Sequence, residues 1–171
     1  MKTVLLLRHA KSSWDEPYLT DSLRPLAPRG RQAAPRIGAH MARNGFIPDQ
    51  VLCSSARRAR ETWELASEFL DDAIPVEIRD DLYDASPGRI LTMLQEVHPS
   101  VDTVLLVGHN PTFEDLALSL TDRGPEELVA DLRRKYPTGT LAVLEFPIDD
   151  WAHIRPGTGY LRGFIRPRTL R

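Results

Sequence analysis

Three short apolar runs in this chain of 171 residues are each followed by side chains that can bind or attack an anion. Arg8 and His9 follow the first run. Arg58 comes shortly after the second run, and His109 follows the third. Arginine binds phosphate oxygens through paired hydrogen bonds, and a neutral imidazole is a competent nucleophile toward phosphorus. A second imidazole, if protonated, can stabilise the charge on a transferring group. These residue types therefore predict a phosphate pocket that contains two imidazoles.

The apolar runs themselves are typical of buried parallel strands, because they are short, continuous and rich in aliphatic side chains. They cover residues 3–7, 50–53 and 104–107. Four segments with helical periodicity alternate with them, at residues 30–44, 59–70, 87–97 and 111–120. Ser86 is the expected N-cap of the third helix, with Pro87 at its first position. This alternation predicts an α/β domain with a mostly parallel sheet.

That architecture would bring the reactive residues together. In open α/β sheets, ligands bind beyond the carboxyl ends of the strands, which is where Arg8, His9 and His109 lie. The second and fourth helices would direct their free N–H groups and positive dipole ends toward the same crevice. We therefore expect one anion site at that edge, beside the long irregular loop at residues 11–28.

The C-terminal part has a different pattern. Residues 138–146 and 159–164 resemble two strands joined by a turn-rich stretch, and we expect them to form an antiparallel edge. No linker or repeat divides the chain, so we expect one domain over residues 1–171.

Composition limits the possible partners and the compartment. The formal net charge is −2, which argues against binding nucleic acid through bulk charge. No apolar stretch approaches the ~20 residues that span a bilayer, so we expect no membrane partner. Cys53 is the single cysteine, which excludes an internal disulfide and fits a reducing compartment. We expect a cytoplasmic protein, and the sequence does not indicate its oligomeric state.

Four blocks of the sequence resemble the histidine phosphatase superfamily, which includes the cofactor-dependent phosphoglycerate mutases. The blocks are Leu7-Arg8-His9-Ala10, in which Ala10 replaces the usual glycine, residues 54–62 (SSARRARET), Gly108-His109, and residues 21–26 (DSLRPL) followed by Gly30. The last block, the short chain and Leu82-Tyr83 together favour the branch of SixA-type phosphohistidine phosphatases. The resemblance covers nearly the whole chain and implies a three-layer α/β/α sandwich with a mostly parallel central sheet.

The resemblance also implies roles for individual residues. It makes His9 the phosphorylated nucleophile, with Arg8, Arg58 and His109 in the phosphate pocket; Ser12 would lie near the phosphate, Arg24 at the pocket rim, and Asp84 would be the candidate general acid. Asp15 falls where many members have a phosphate-binding asparagine, and an aspartate there would repel a dianion. We expect His9 to act in its neutral form and His109 in its protonated form.

The function that follows is a phosphatase needing no metal or cofactor, acting through a phosphohistidine intermediate on His9. Its substrate would be protein phosphohistidine or a small phosphomonoester. A small-metabolite phosphatase or mutase of the same superfamily is one alternative, and a non-catalytic phosphate- or phosphopeptide-binding module is another. A metallohydrolase is disfavoured, because the sequence has no His-x-x-x-His or paired-cysteine spacing.

Overall fold

A computed structural model of the chain, described here for residues 1–71 and 73–170, is built around one seven-stranded sheet. The strands are β1 (Lys2–Arg8), β2 (Gln50–Ser54), β3 (Val76–Arg79), β4 (Thr103–Gly108), β5 (Thr121–Arg123), β6 (Leu141–Phe146) and β7 (Gly159–Ile165). Their order across the sheet is β3-β2-β4-β1-β6-β7-β5. All run in one direction except β6, which is antiparallel to β1 and to β7. The predicted mostly parallel sheet is therefore confirmed.

Helices cover both faces of the sheet. They are α1 (Pro28–Asn44), α2 (Arg57–Ala66), α3 (Pro87–Gln95), α4 (Thr112–Leu120) and α5 (Glu126–Arg134). One hydrophobic cluster joins α1 and α2 to one face, and a second joins α3, α4 and α5 to the other. Side chains alternate along β1, so Leu5 and Leu7 pack in the first cluster while Val4 and Leu6 pack in the second. All four are fully buried, as expected for a central strand covered on both faces.

The local start and stop signals act as the sequence predicts. The Ser86 hydroxyl accepts a hydrogen bond from the Arg89 N–H at 3.1 Å, which caps α3. Helix α1 ends at Gly45, whose φ of 72° is the left-handed conformation that glycine adopts without a Cβ penalty. The second helix is shorter than predicted, because α2 gives way after Ala66 to a 3₁₀ turn over Ser67–Phe69.

The expectation for the C-terminal strands needs a correction. Strands β6 and β7 do form an antiparallel pair, but they are not the edge of the sheet, because β5 pairs with β7 on its outer side. Strand β5 has only three residues, Thr-Asp-Arg, and follows α4 directly. So short and polar a segment lacks the apolar alternation by which strands are recognised.

The described residues contain no helix that is both long and apolar enough to cross a bilayer.

The packing of α1 on α2 depends on Gly38. A Cβ there would lie 2.0 Å from the carbonyl oxygen of Ala66, so the two backbones approach more closely than any other residue allows.

We predict that Gly38→Ala lowers the melting temperature clearly, since backbone atoms would have to move. Gly88→Ala is the matched control, because the nearest atom to its Cβ is 4.0 Å away and alanine favours the helix by up to about 1 kcal/mol. Thermal unfolding of both variants checks this, and equal melting temperatures would contradict it.

Candidate active site

The carboxyl ends of β1, β2 and β4 surround a cavity of about 340 Å³. Its walls are His9, Asp21, Arg58, Tyr83, Asp84, His109 and Asn110. Four of the residues singled out from the sequence therefore line one space. The parallel register of β1 with β4, in which Arg8 lies opposite Gly108, brings the two histidines to adjacent positions. Their ring centroids are 5.3 Å apart.

Hydrogen bonds fix the orientation and the tautomer of His9, which is only 8% exposed. Its backbone N–H donates to the carbonyl of Gly108, and its Nδ1 lies 2.8 Å from the carbonyl oxygen of Ala10. A carbonyl only accepts, so Nδ1 carries the proton and Nε2 keeps its lone pair. The Nε–H of Arg58 donates to His9 Nε2 at a distance of 3.4 Å. The long contact leaves Nε2 available to an incoming group.

The surroundings also keep His9 neutral. The pKa of His9 is lowered to about 3, mainly by burial and also by the nearby His109, Arg58 and Arg8, while the hydrogen bond to Ala10 acts in the opposite direction. A neutral imidazole is the form in which histidine is a nucleophile. The expectation that His9 is neutral near pH 7 therefore agrees with its environment.

Thr62 connects the segment that follows β1 to α2. Its hydroxyl donates to the carbonyl of Arg58 at 2.7 Å and accepts from the N–H of Ala10 at 3.0 Å. Because Ala10 in turn holds the His9 ring, one threonine sets the distance between that ring and the first turn of α2. This explains physically why a threonine follows the arginine by four positions.

His109 is held from the other side by Ser54. Its Nε2 lies 2.8 Å from the Ser54 hydroxyl, which also accepts from the N–H of Ala56. The serine proton is therefore free to go to Nε2, which leaves the proton of a neutral His109 on Nδ1. That Nδ1 is buried and has no hydrogen-bond partner among the described residues. Ser54 thus holds the His109 ring in place on the wall of the cavity.

The charge state of His109 differs from the expectation. Burial lowers its pKa to about 4, with Arg58 and Arg8 acting in the same direction and Asp21 against them. The surroundings of this imidazole therefore favour its neutral form near pH 7, whereas the sequence analysis expects the protonated form during the reaction. A phosphate dianion bound beside it would raise the pKa again, so protonation is coupled to substrate.

Sequence reasoning missed three wall residues, Asp21, Tyr83 and Asn110, of which Asp21 forms ion pairs with the predicted arginines. Its side chain accepts from Arg58 at 3.0 Å, from Arg24 at 2.9 Å and from the hydroxyl of Tyr83, and its carbonyl accepts from Arg58 at 2.8 Å. The hydrogen bonds from Tyr83, Arg24 and Arg58 lower the pKa of this carboxyl, with burial opposing them. Asp21 is thus held ionised and orients Arg58. A carboxyl so strongly held is a poor proton donor.

Arg8 lies behind the cavity and not on its wall. Its Nη1 donates to the carbonyl of Tyr136 at 2.7 Å, and its buried Nε has no partner among the described residues. Burial lowers the pKa of Arg8, while Glu114 and Tyr136 raise it. Its charge nevertheless contributes to lowering the pKa of His9 and of His109, so its field acts on both rings.

Ser12 and Arg24 are also beside the cavity and not on its wall. Arg24 donates to the Ser12 hydroxyl at 2.5 Å, and its guanidinium carbon lies 3.3 Å from the centroid of the Trp14 ring. These contacts, together with the bond to Asp21, make Arg24 a support for the loop. Asp15 is exposed and does not line the cavity.

Asp84 does line the cavity, on the turn that follows a 3₁₀ helix at Asp80–Leu82. Asp84 is exposed, whereas His9 is buried and His109 is half-buried. It is the remaining carboxylate on this wall that can give a proton to a leaving group.

The residues that the structure describes contain no group of three or more histidine, cysteine or acidic side chains arranged to hold a metal ion. The donors around the cavity are mainly cationic or neutral N–H groups, which suit an anion.

Comparison with known proteins identifies the family. Residues 4–144 match the model of the histidine phosphatase superfamily (branch 1). The chain belongs to that superfamily. A Mycobacterium tuberculosis protein of uncharacterised function is 40% identical over 164 residues, which is 95% of this chain and 100% of that protein.

Solved structures refine the assignment to the SixA-like branch and its phosphoglycerate mutase-like fold. A candidate phosphohistidine phosphatase SixA from Agrobacterium tumefaciens is 31% identical, with a TM-score of 0.82 over 97% of this chain and 98% of that one. A similar SixA candidate from Nakamurella multipartitia is 29% identical, with a TM-score of 0.81 over 97% and 96% of the two chains. The three-layer α/β/α sandwich is therefore confirmed.

Burial of a neutral histidine makes stability depend on pH. The ordinary histidine pKa is 6.5 and that of His9 in the native state is about 3, so below pH 6.5 the unfolded chain binds a proton that the native protein excludes. This contribution is complete above pH 6.5 and is lost as the pH falls toward 3. We predict that His9→Gln reduces the slope of unfolding free energy against pH, between pH 6 and 4.5, by about 1.4 kcal/mol per pH unit. Chemical denaturation across this range measures the slope.

His153→Gln is the control, because His153 is exposed. It should keep the slope of the wild type. Identical slopes for the wild type and His9→Gln would contradict the neutral burial of His9.

Proposed function

We propose that this protein hydrolyses phosphoryl groups through a covalent intermediate on His9, and that its substrate is phosphohistidine on a protein. The observation that carries the proposal is the unprotonated Nε2 of His9, which faces a cavity lined by Arg58 and His109. A lone pair surrounded by anion-binding donors suits in-line attack on phosphorus.

In the first step, His9 Nε2 forms a bond to phosphorus while the bond from phosphorus to the leaving nitrogen breaks. Arg58 and His109, which line the cavity, bind the equatorial oxygens, and Arg8 adds positive potential from outside the cavity wall. The phosphorylated ring becomes a cation, which the hydrogen bond from Nδ1 to Ala10 stabilises.

In the second step, water attacks phosphorus on the face that the leaving group has vacated. The P–N bond to His9 breaks and its electron pair returns to Nε2, a proton of the water moves to a phosphate oxygen, and inorganic phosphate leaves. His9 returns to the neutral tautomer, because burial disfavours its cation once the phosphoryl group is gone.

The carboxyl groups on the cavity wall favour phosphohistidine as the substrate, because that substrate depends least on a proton donor. An imidazole leaves readily, so it needs little help from an acid. Asp21 is held as a carboxylate by Arg24, Arg58 and Tyr83, and Asp84 is exposed. A small phosphomonoester is the second candidate, because Asp84 lines the cavity and is able to protonate an alkoxide.

Turnover of a phosphohistidine peptide and of p-nitrophenyl phosphate, with EDTA present, tests this proposal. We predict that the wild type hydrolyses both substrates, faster for the peptide, and that His9→Ala loses at least about a thousandfold of each activity because no nucleophile remains. His153→Ala is the matched control and should retain full activity.

Three results would count against the proposal. Equal activity of His9→Ala and wild type would remove His9 as nucleophile, and loss of activity with EDTA would indicate a metal-dependent reaction. Tight binding of inorganic phosphate without turnover of either substrate would favour the binding module.

A further inference from the structure

A second concave surface lies beside the candidate active site and is strongly basic. We call it the basic cleft and define it by Lys11, Arg29, Arg134, Lys135, Arg166 and Arg168, which together line a cavity of about 430 Å³. A neighbouring cavity of about 240 Å³ shares four of these residues and extends the cleft along α1 to Arg36. The cations come from the loop after β1, from α1, from the end of α5 and the residue after it, and from the segment after β7.

The charge of the cleft is poorly neutralised. Asp131 is the one acidic residue among the described residues that line it, and it pairs with Arg134 at 2.7 Å and with Arg166 at 3.4 Å. In the part of the chain that the structure describes, the other four cations form no ion pair within 4.0 Å. Because the whole chain has a net charge of −2, the surface outside the cleft is net negative.

The topology places the cleft and the candidate active site on one edge of the sheet. Strands β1 and β7 run parallel, so His9 and Arg166 both follow the same ends of their strands. Only β6 lies between those strands, which makes the strand ends roughly 10 Å apart. A single ligand of peptide size can therefore reach both sites.

Arg8 connects the two sites directly. It lines the basic cleft, while its charge lowers the pKa of His9 and of His109. The carbonyl of Tyr136 accepts from Arg8 at 2.7 Å and from Asn110, a wall residue of the catalytic cavity, at 3.2 Å. The Tyr136 carbonyl thus links a residue that lines the cleft to a residue that lines the cavity.

From this arrangement we infer that the basic cleft docks an acidic segment of the phosphoprotein substrate while its phosphohistidine occupies the catalytic cavity. The inference rests on the proposed function for the identity of the substrate. Arginine forks match carboxylates in pairs, and the cleft offers several unpaired cations.

The length of the cleft favours a polypeptide over a single small anion. Arg29 and Arg36 are seven residues apart on α1, which corresponds to about 10 Å of helix. An extended peptide covers this length with about three residues, so acidic side chains at neighbouring positions can meet successive cations. A nucleic acid is less suited, because the net negative surface around the cleft repels a long polyanion.

Charge reversal at two exposed residues of the cleft tests the inference. We choose Lys135→Glu with Arg168→Glu, since neither side chain forms an ion pair among the described residues and neither lines the catalytic cavity. The matched control is Arg43→Glu with Arg162→Glu, an equal change of charge at exposed positions outside the cleft. Two phosphohistidine peptides serve as substrates, one with acidic and one with neutral flanking residues.

We expect kcat/KM for the acidic-flanked peptide to fall about tenfold or more in the cleft variant, because the attraction becomes repulsion. Turnover of the neutral-flanked peptide and of p-nitrophenyl phosphate should stay unchanged, and the control variant should match the wild type on all three. An equal loss on all substrates, or no loss on the acidic-flanked peptide, would overturn the inference.

A binding measurement separates this inference from the proposed function. Fluorescence anisotropy of the unphosphorylated acidic peptide needs no catalysis, so it reports on the cleft even if phosphohistidine is not turned over. Docking predicts salt-sensitive binding to the wild type and to the control, and its loss in the cleft variant. Equal binding to all three proteins would contradict an acidic peptide as occupant. Displacement of the peptide by single-stranded DNA or polyphosphate, at concentrations far below those needed of a competing acidic peptide, would also contradict it.

Discussion

The hydrogen bond from His9 Nδ1 to the Ala10 carbonyl is the interaction on which the account of the site depends. It places the proton of the ring on the nitrogen that faces the backbone and leaves the lone pair on the one that faces the cavity. Burial then makes this neutral form the stable one near pH 7. In the proposed reaction, the same bond would stabilise the cation formed when the outer nitrogen accepts a phosphoryl group. Burial at the end of β1 and this hydrogen bond together favour a neutral imidazole of fixed orientation at the cavity.

The remaining contacts keep that ring in register with its anion-binding partners. Thr62 joins Ala10 to the first turn of α2, and Asp21 holds the guanidinium of Arg58 from the opposite loop. Ser54 holds the His109 ring on the cavity wall. Each of these supports uses a hydrogen bond between elements that are distant in sequence. A substitution at a supporting position is therefore expected to act through geometry and not through the chemistry itself.

Much of the fold was predictable, because β1, β2 and β4 are apolar runs that end in charged or polar residues. Strands β3 and β5 were not, since Val-Glu-Ile-Arg is largely exposed and Thr-Asp-Arg has only three residues. Of the predicted residues, His9, Arg58, His109 and Asp84 line the cavity, and strand-end position explains both histidines. Ser12, expected near the phosphate, and Arg24, expected at the pocket rim, contact each other beside the cavity. Their pairing, and the role of Asp21, depend on how the 11–28 loop folds back, which local sequence patterns do not encode.

The central claim is that the phosphoryl group passes through Nε2 of His9, and rapid-quench trapping of the protein during turnover tests it most directly. We predict one phosphoryl group per chain in the trapped protein, located on His9 by peptide mass spectrometry. The linkage should be stable in alkali and labile in acid, as a phosphoramidate is. A modification on another residue, or steady turnover with no covalent intermediate at any quench time, would contradict it.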